Sequence, residues 1–588
     1  MYQLFLLIKN PKSVFYCSII LCVVLHLASH ALYSPVHAQV LARQETVPMW
    51  KRIDIPLTSD KVYGNPFLDV MVDAIFTHES GQQIAIPGFW NGGNQWIVRF
   101  SPNQLGKWTY SIRSNDSANV ALAKAGDLLA VANHGSTELD RRGFVQLSSN
   151  NRYFTYSDGH PFFWLGDTHW QAPDYERLDA NNDPNAVNGL GQFKDLVENR
   201  LRKGFNIYQT YPDAAENDGG GNPRRFNWWV DRKMLLTAPD AIQVNPEAFR
   251  ENFDVMMDYL ADRGMTIALG FGVHQANANK MHQQSLLHWA RYLVARYAAY
   301  PVIWITAQEV NASPKDGSYE KWMKVAQLIS ELDGYKRPLS MHTDRDYPGK
   351  YPSFNEMKDI SWHQFWAMQG GHLHDNSAEN QSQAYYEKYW NATPRKPFIE
   401  TEANYEQLHW PKAISADQVR ETAWRALQSG SYGYTYGASG IWAMNWEAGD
   451  GQGWETWSKL SWYEAKDLPG SFQMGYMKQF YCALDFHLLE PRFGDNQYVK
   501  ELDHNQHFLS SIGDKVYVLY SKTGKILSGR IVNMRPHAAY AAFWFNPRKG
   551  TYHAAADSVV RPDREGGYTL PNKPDDKDWV YVLRITNK

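Results

Sequence analysis

Cysteine is nearly absent from this chain. Three occur in 588 residues, and two of them, Cys17 and Cys22, lie inside an N-terminal apolar run. Without that run only Cys482 is left, so no internal disulfide can form and stability must come from large apolar cores. Net charge is also nearly absent: 59 basic residues stand against 62 acidic ones, a formal charge of -3. That balance excludes the basic surface a nucleic-acid or anionic-membrane partner would need. There is no fixed-period repeat and no low-complexity tract. A GxSxG elbow, a P-loop and a dinucleotide fingerprint are all missing where a strand–helix context would need them, so no cofactor is expected. The close histidines of Gly371-His372-Leu373-His374-Asp375 lack an HExxH helix, and no metal site is expected from them.

Aromatic residues are abundant instead: 23 Trp, 35 Tyr and 26 Phe. Aromatic side chains dominate core packing and also stack on the C–H faces of sugar rings. At the N-terminus, Lys9 and Lys12 precede an apolar run from Val14 to Leu32, and Val36-His37-Ala38 supplies small residues at the positions that signal peptidase reads. Residues 1–38 therefore read as a signal peptide cleaved after Ala38, which predicts a secreted or periplasmic chain without stable membrane insertion. The competing reading is an uncleaved anchor, because the run is nearly long enough to span a bilayer.

Patterning divides the mature chain into three parts. Residues 45–140 alternate as strands, as in Trp96, Val98, Phe100 and Trp108, Tyr110, Ile112, with a turn at Asn91-Gly92-Gly93; they predict an N-terminal β-sandwich. Residues 150–485 alternate strands with amphipathic helices. Strand segments fall at 162–165, 205–211, 265–271, 302–306, 338–342, 359–364, 397–401 and 440–445. Helix signals between them include Asn245-Pro246 as N-cap and first helical residue, and Ser415 with Gln418 as a capping box. Eight βα units predict an α/β TIM barrel. Residues 488–588 return to strands, around 516–520, 542–545 and 579–585, and predict a second β-sandwich.

The stretch VIWITAQEVNA, 302–312, ends an apolar strand on a carboxylate, Glu309. In TIM barrels the catalytic groups stand at the C-terminal ends of strands. PFIETEANYE, 397–406, places a second carboxylate at the end of strand seven. Two carboxylates facing one cavity are what glycoside hydrolysis needs: one protonates the leaving oxygen, the other attacks or stabilises the anomeric carbon. Glu400 and Glu402 share strand parity, which predicts a shared face. Glu402 is nearer the strand's end, whereas Glu400 is expected deeper, as the buried partner of a basic group. Other rim candidates for binding substrate are Asp167, Gln308, Tyr405, the histidines His274, His342 and His363 around strands three, five and six, and Trp366 and Trp442 as stacking platforms.

The segments FFWLGDTHW (162–170), KGFNIYQTYPD (203–213), RYLVARYAAYPVIWITAQEVN (291–311), KPFIETEANYE (396–406) and GIWAMNW (440–446) resemble the apiosidase-like family of TIM-barrel glycoside hydrolases. The N-terminal region is similar to the β-sandwich that precedes such barrels. WFNPRKGTY (544–552) resembles the small C-terminal β-domain labelled collagen-binding in such chains. The resemblance implies a retaining glycosidase acting on a carbohydrate, with Glu309 as general acid/base and Glu402 as nucleophile. Gln308 stands where such enzymes keep an Asn that binds the sugar 2-hydroxyl. Characterised apiosidases have Gly-Gly-Asp where this chain has Ala307-Gln308-Glu309, so the sugar stays open. The alternative is a non-catalytic carbohydrate- or matrix-binding protein; against it, a degenerate barrel commonly loses one carboxylate, and this chain keeps both.

Overall fold

The computed structural model describes residues 45–178, 190–212, 227–231, 234–272, 281–310, 317–343, 354–372, 382–409, 412–449 and 456–586. The signal-peptide segment and His274 lie outside them. Among the described residues no helix is long and apolar enough to cross a membrane.

The N-terminal part pairs a five-stranded sheet with a three-stranded one, the latter formed by Ile53–Thr58, Gln95–Phe100 and Phe89–Gly92. The strict alternation read in the sequence puts Trp96, Val98, Phe100 and Trp108 on the inner faces, where Phe76 stacks on Phe100 at 3.8 Å between ring centroids. The C-terminal part has a six-stranded sheet, with Val516–Ser521, Trp579–Ile585 and Tyr540–Asn546 as successive neighbours, and a three-stranded sheet beside it.

Between them lies the parallel barrel. Its strands are Trp164–Thr168, Ile207–Thr210, Thr266–Gly270, Val302–Ile305, the broken pair Leu339–Ser340 and His342–Thr343, Trp366–Gln369, Phe398–Glu402 and Gly433–Tyr436. Strand one pairs with both strand two and strand eight. The fifth strand is interrupted at Met341: its first half bonds strand four and its second half bonds strand six. Nine segments thus fill eight positions of a nearly closed ring. Inward residues Ile207, Ala268, Ile303, Ile305, Ala367 and Ile399 share one core with Trp164. Below them a small antiparallel sheet, Gln146–Leu147, Phe154–Thr155 and Pro161–Phe162, closes the N-terminal end, with Phe154 packed 5.3 Å from Phe365.

The helices form where the caps predicted them. The Asn245 side chain accepts from Glu247 N–H with Pro246 at the first helical position, and Ser415 and Gln418 make both bonds of the capping box before Ala416–Gln428. Two strands differ from the sequence expectation. Strand six is Trp366–Gln369 rather than 359–364, and strand eight is Gly433–Tyr436 rather than 440–445. The segment 440–445 is a run of turns beyond strand eight. Gly440 has φ +87° and its backbone lies against Leu460 and Ser461, while the Asn445 amide donates to Ser458 and Leu460 carbonyls. An apolar sequence is held there by tertiary bonds rather than by a ladder.

Both flanking parts are joined to the barrel through buried charge. Arg99, on the strand Gln95–Phe100, donates to the carbonyl of Arg296 and pairs with Asp54. On the other side, Arg420 of the helix Ala416–Gln428 donates through Nε and Nη2 to Asp578 at 2.7 and 2.9 Å. Trp424 of the same helix stacks on Tyr520 of the C-terminal sheet, centroids 5.6 Å apart.

Candidate active site

Strand four ends at Ile305, and the next residues are laced to the second half of strand five. His342 N–H donates to Ala307 carbonyl, and Val310 N–H to His342 carbonyl. Satisfying both bonds turns the chain over at Glu309, which takes φ +51°. A non-glycine residue there is strained by about 1–3 kcal/mol, a strain that clusters at functional sites. Glu309 N–H approaches His342 Nδ1 at 3.4 Å. Its half-buried carboxylate accepts from the Gln369 amide at 2.9 Å.

Glu402 ends strand seven and is 4% exposed. Its Oε2 accepts from Gln308 Nε2 at 2.7 Å and from Trp170 Nε1 at 3.0 Å, with His342 Nε2 at 3.5 Å. His372 Nε2 stands 3.2 Å from Oε1. Trp170 Nε1 is shared with the Tyr405 hydroxyl at 2.9 Å, and the Tyr405 ring lies 4.5 Å from His372 and 6.2 Å from Trp442. Burial, and then the charge of Glu402, push the Tyr405 phenol well above its ordinary range, so it remains a hydroxyl donor. N–H groups from three strand ends therefore converge on one carboxylate, a setting suited to negative charge. His342 bridges the pair, one ring nitrogen toward each glutamate's residue.

Glu400 and Glu402 do not share a face. Strand seven carries a bulge against strand six: Met368 pairs with Glu400 and Gln369 with Glu402, leaving Thr401 as the extra residue. Phe398 and Glu400 point outward to the helix Gln383–Trp390, where Phe398 stacks on Tyr386, while the bulge re-aims Glu402 inward to Gln308, Trp170 and His372. Glu400 is fully buried, yet among the described residues no basic group pairs with it. Its partners are the Tyr386 hydroxyl at 2.9 Å and Gly370 N–H. Burial pushes its carboxyl up to about 8 against the lowering effect of those two bonds, and the charge of Glu402 adds to the rise.

Of the candidates, Gln308 and His342 stand against Glu402, Tyr405 shares the Trp170 N–H with it, and Trp442 lies beside Tyr405. Three other candidates stand elsewhere. Asp167 is on the outer face of strand one, 1% exposed, with Arg200 Nε at 2.6 Å and His169 Nε2 at 2.9 Å. Burial opposes its ionisation, but Arg200 and His169 hold its carboxyl below the usual range, and these partners lie on the helix side of the strand rather than at the glutamate pair. His363 and Trp366 are not on the rim, because strand six begins later than its apolar pattern predicts. Strand six starts at Trp366, so both lie at its N-terminal end: Trp366 stacks on Phe354 at 5.0 Å and His363 meets the Trp366 edge at 4.6 Å. Burial, helped by Lys396, drives the His363 imidazole well below its ordinary value, as expected of a core histidine. Trp170, Gln369 and His372 were not singled out as substrate or carboxylate contacts. The correct end of strand six would have pointed to Gln369 and His372, and Trp170 falls two residues past the end of strand one. Among the described residues no cluster could hold a metal ion.

A parallel barrel with two glutamates at its C-terminal rim defines a glycosidase of the TIM-barrel kind. The chain belongs to the family whose model is described as "Apiosidase-like, catalytic domain", matched over residues 148–487. Residues 46–115 match a domain of unknown function, and residues 495–584 match a "Putative collagen-binding domain of a collagenase". Among solved structures, the fold is similar to "a putative glycoside hydrolase from Bacteroides vulgatus ATCC 8482", with 16% identity, coverage of 92% of this chain and 100% of that one, and a TM-score of 0.69. It is also similar to a glycoside hydrolase family 5 protein from the same organism, with 19% identity, coverage of 76% and 94%, and a TM-score of 0.60. No curated protein matches the chain.

Proposed function

We propose that this protein is an exported retaining glycoside hydrolase that cuts a glycosidic bond in an oligosaccharide or polysaccharide. One observation carries the mechanism: Glu402 is buried and held by the Gln308 amide and the Trp170 indole with His372 and His342 beside it, whereas Glu309 is only half-buried and accepts from the Gln369 amide. The cradled, buried carboxylate is the one arranged to attack in a fixed direction, and the more exposed one is able to exchange a proton. In the first step a Glu402 oxygen bonds to the anomeric carbon as the glycosidic C–O bond breaks, and Glu309 gives its proton to the departing oxygen. In the second, Glu309 takes a proton from water, the water oxygen bonds to the anomeric carbon, and Glu402 leaves as carboxylate. This cycle needs Glu309 protonated and Glu402 ionised at rest. Gln308, bonded to Glu402, would also meet the sugar's 2-hydroxyl, and the neighbouring Tyr405 and Trp442 rings would stack on the sugar.

The two substitutions separate the roles. Glu402→Ala removes the attacking group and abolishes turnover on every glycoside. Glu309→Ala slows substrates with poor leaving groups most, keeps a fast first step on activated aryl glycosides, and regains its second step with added azide. NMR of the first-formed anomer shows retention; net inversion, or an active Glu402→Ala enzyme, overturns the assignment. Export is checked on protein from the native host, whose N-terminal sequence begins at Gln39 if cleavage follows Ala38.

A further inference from the structure

Among the described residues Glu400 is buried without a cation, an arrangement a barrel does not need for packing, since a Leu or Met would fill the same layer. Its two bonds explain what it does instead. Oε1 accepts from Gly370 N–H, and Oε2 meets the Tyr386 hydroxyl at 2.9 Å. Gly370 is flanked by the two contacts that reach the catalytic pair: Gln369 donates to Glu309, and His372 stands 3.2 Å from Glu402. Gly371 N–H also bonds the Glu402 carbonyl at 3.3 Å. The fit at Gly370 is tight, because a Cβ there would stand 2.8 Å from Glu400 Oε1. The bulge that turns Glu402 into the cavity begins at Glu400's own register partner, Met368. One carboxyl thus anchors the short segment that touches both glutamates.

We propose that Glu400 is a positioning residue: it ties strand seven to residues 369–372, and through Gln369 and His372 it sets where Glu309 and Glu402 stand. The inference rests on those two being the catalytic pair. Glu400 faces Tyr386 from the helix Gln383–Trp390, Gly370 from strand six, Tyr434 as its pairing partner on strand eight, and Glu402 on its own strand. With its carboxyl raised to about 8, the group is neutral at pH 7, and the Tyr386 hydroxyl and Gly370 N–H donate to its two oxygens. Gln keeps Gly370 N–H on its oxygen and, once the Tyr386 hydroxyl turns, donates to that hydroxyl through its NH2; Ala keeps neither bond.

The test compares Glu400→Gln, Glu400→Ala, Tyr386→Phe and Gly370→Ala by kcat, KM and melting temperature on an aryl glycoside. Glu400→Gln is expected to keep kcat within about threefold, since its hydrogen bonds persist. Glu400→Ala and Gly370→Ala are expected to lower kcat about 100-fold with little change in KM, the effect of a small misplacement of reacting groups. Tyr386→Phe, which loses one bond, falls about tenfold. The folded wild type holds a proton that the unfolded chain releases, so its stability falls as pH rises from the usual carboxylate range to about 8. The melting temperature of Glu400→Gln should therefore rise relative to wild type across that window. The inference is overturned if folded Glu400→Ala retains wild-type kcat, or if Glu400→Gln loses as much kcat as Ala. Where Ala does not fold, the Gln and Phe variants decide. An active Glu402→Ala or fully active Glu309→Ala enzyme would instead defeat the catalytic assignment on which this rests.

Discussion

Asp578 joins the C-terminal sheet to the barrel, and replacing it with Asn should loosen that joint measurably. The residue is 1% exposed and accepts from Arg420 Nε at 2.7 Å, Arg420 Nη2 at 2.9 Å and Arg548 Nη1 at 2.8 Å, with the Tyr520 hydroxyl at 3.3 Å. Burial alone would raise its carboxyl, but Arg420 and Arg548 hold it below the usual range. Asn has the same shape and half the accepting capacity, and its NH2 would face guanidinium donors. Breaking a buried pair from one side costs about 3–5 kcal/mol, because the remaining charge is uncompensated. Arg420 keeps Gln473 at 2.9 Å and Asp417 at 2.9 Å, and Arg548 is partly exposed, so the lower end, about 3 kcal/mol, is expected. Urea unfolding followed by fluorescence reads this directly, since Trp424 stacks on Tyr520 across the joint. Because the folded pKa is depressed, the stabilisation is present above the ordinary carboxylate pKa and is lost as pH falls through the folded value. The gap between wild type and Asp578→Asn should therefore close only in acid. Glycosidase activity of the folded variant should be unchanged. A variant within 1 kcal/mol of wild type at pH 7, or a gap that closes on the alkaline side, would refute this account of the joint.

Two further substitutions test the site's borders. Gln308→Ala and Trp170→Phe each remove one N–H from Glu402, and hydrogen bonds to charged groups contribute about 1.5–3 kcal/mol, so kcat/KM should fall about 10- to 100-fold in each. Steady-state kinetics on one aryl glycoside check this, and wild-type rates in both would dissolve the cradle. Asp167→Asn should lower stability by about 3 kcal/mol through the orphaned Arg200 while leaving KM unchanged, because Asp167 faces the helix layer; a raised KM in a stable variant would return it to the substrate site.

Much of this was legible in the sequence, for identifiable reasons. Strands two, three, four and seven are bounded by Gly or by X-Pro and lie between strongly amphipathic helices, and their ends fell within a residue or two of expectation. Those are the strands that place Glu309 and Glu402. Strand six was misread because Ile360, Trp362 and Phe365 keep an apolar look before the strand begins, and that shift carried His363 and Trp366 to the wrong end of the barrel. Strand eight, Gly-Tyr-Thr-Tyr, is short and polar to the eye, while the apolar turns at 440–445 mimic a strand; Trp442 still reaches the rim because those turns follow strand eight. The opposite orientation of Glu400 and Glu402 was not legible at all. It depends on a bulge that exists only once strand six supplies Met368 and Gln369 as partners.

The inverted backbone at Glu309 has a consequence for anyone who improves this protein by selection. At φ +51° glycine or asparagine is more at ease than glutamate, so, if Glu309 is the proton donor proposed above, a library screened for thermal resistance will enrich the substitutions that silence it. Heat tolerance and turnover are opposed at that one position, and a stabilised descendant should be sequenced there before its loss of activity is blamed on the rest of the fold.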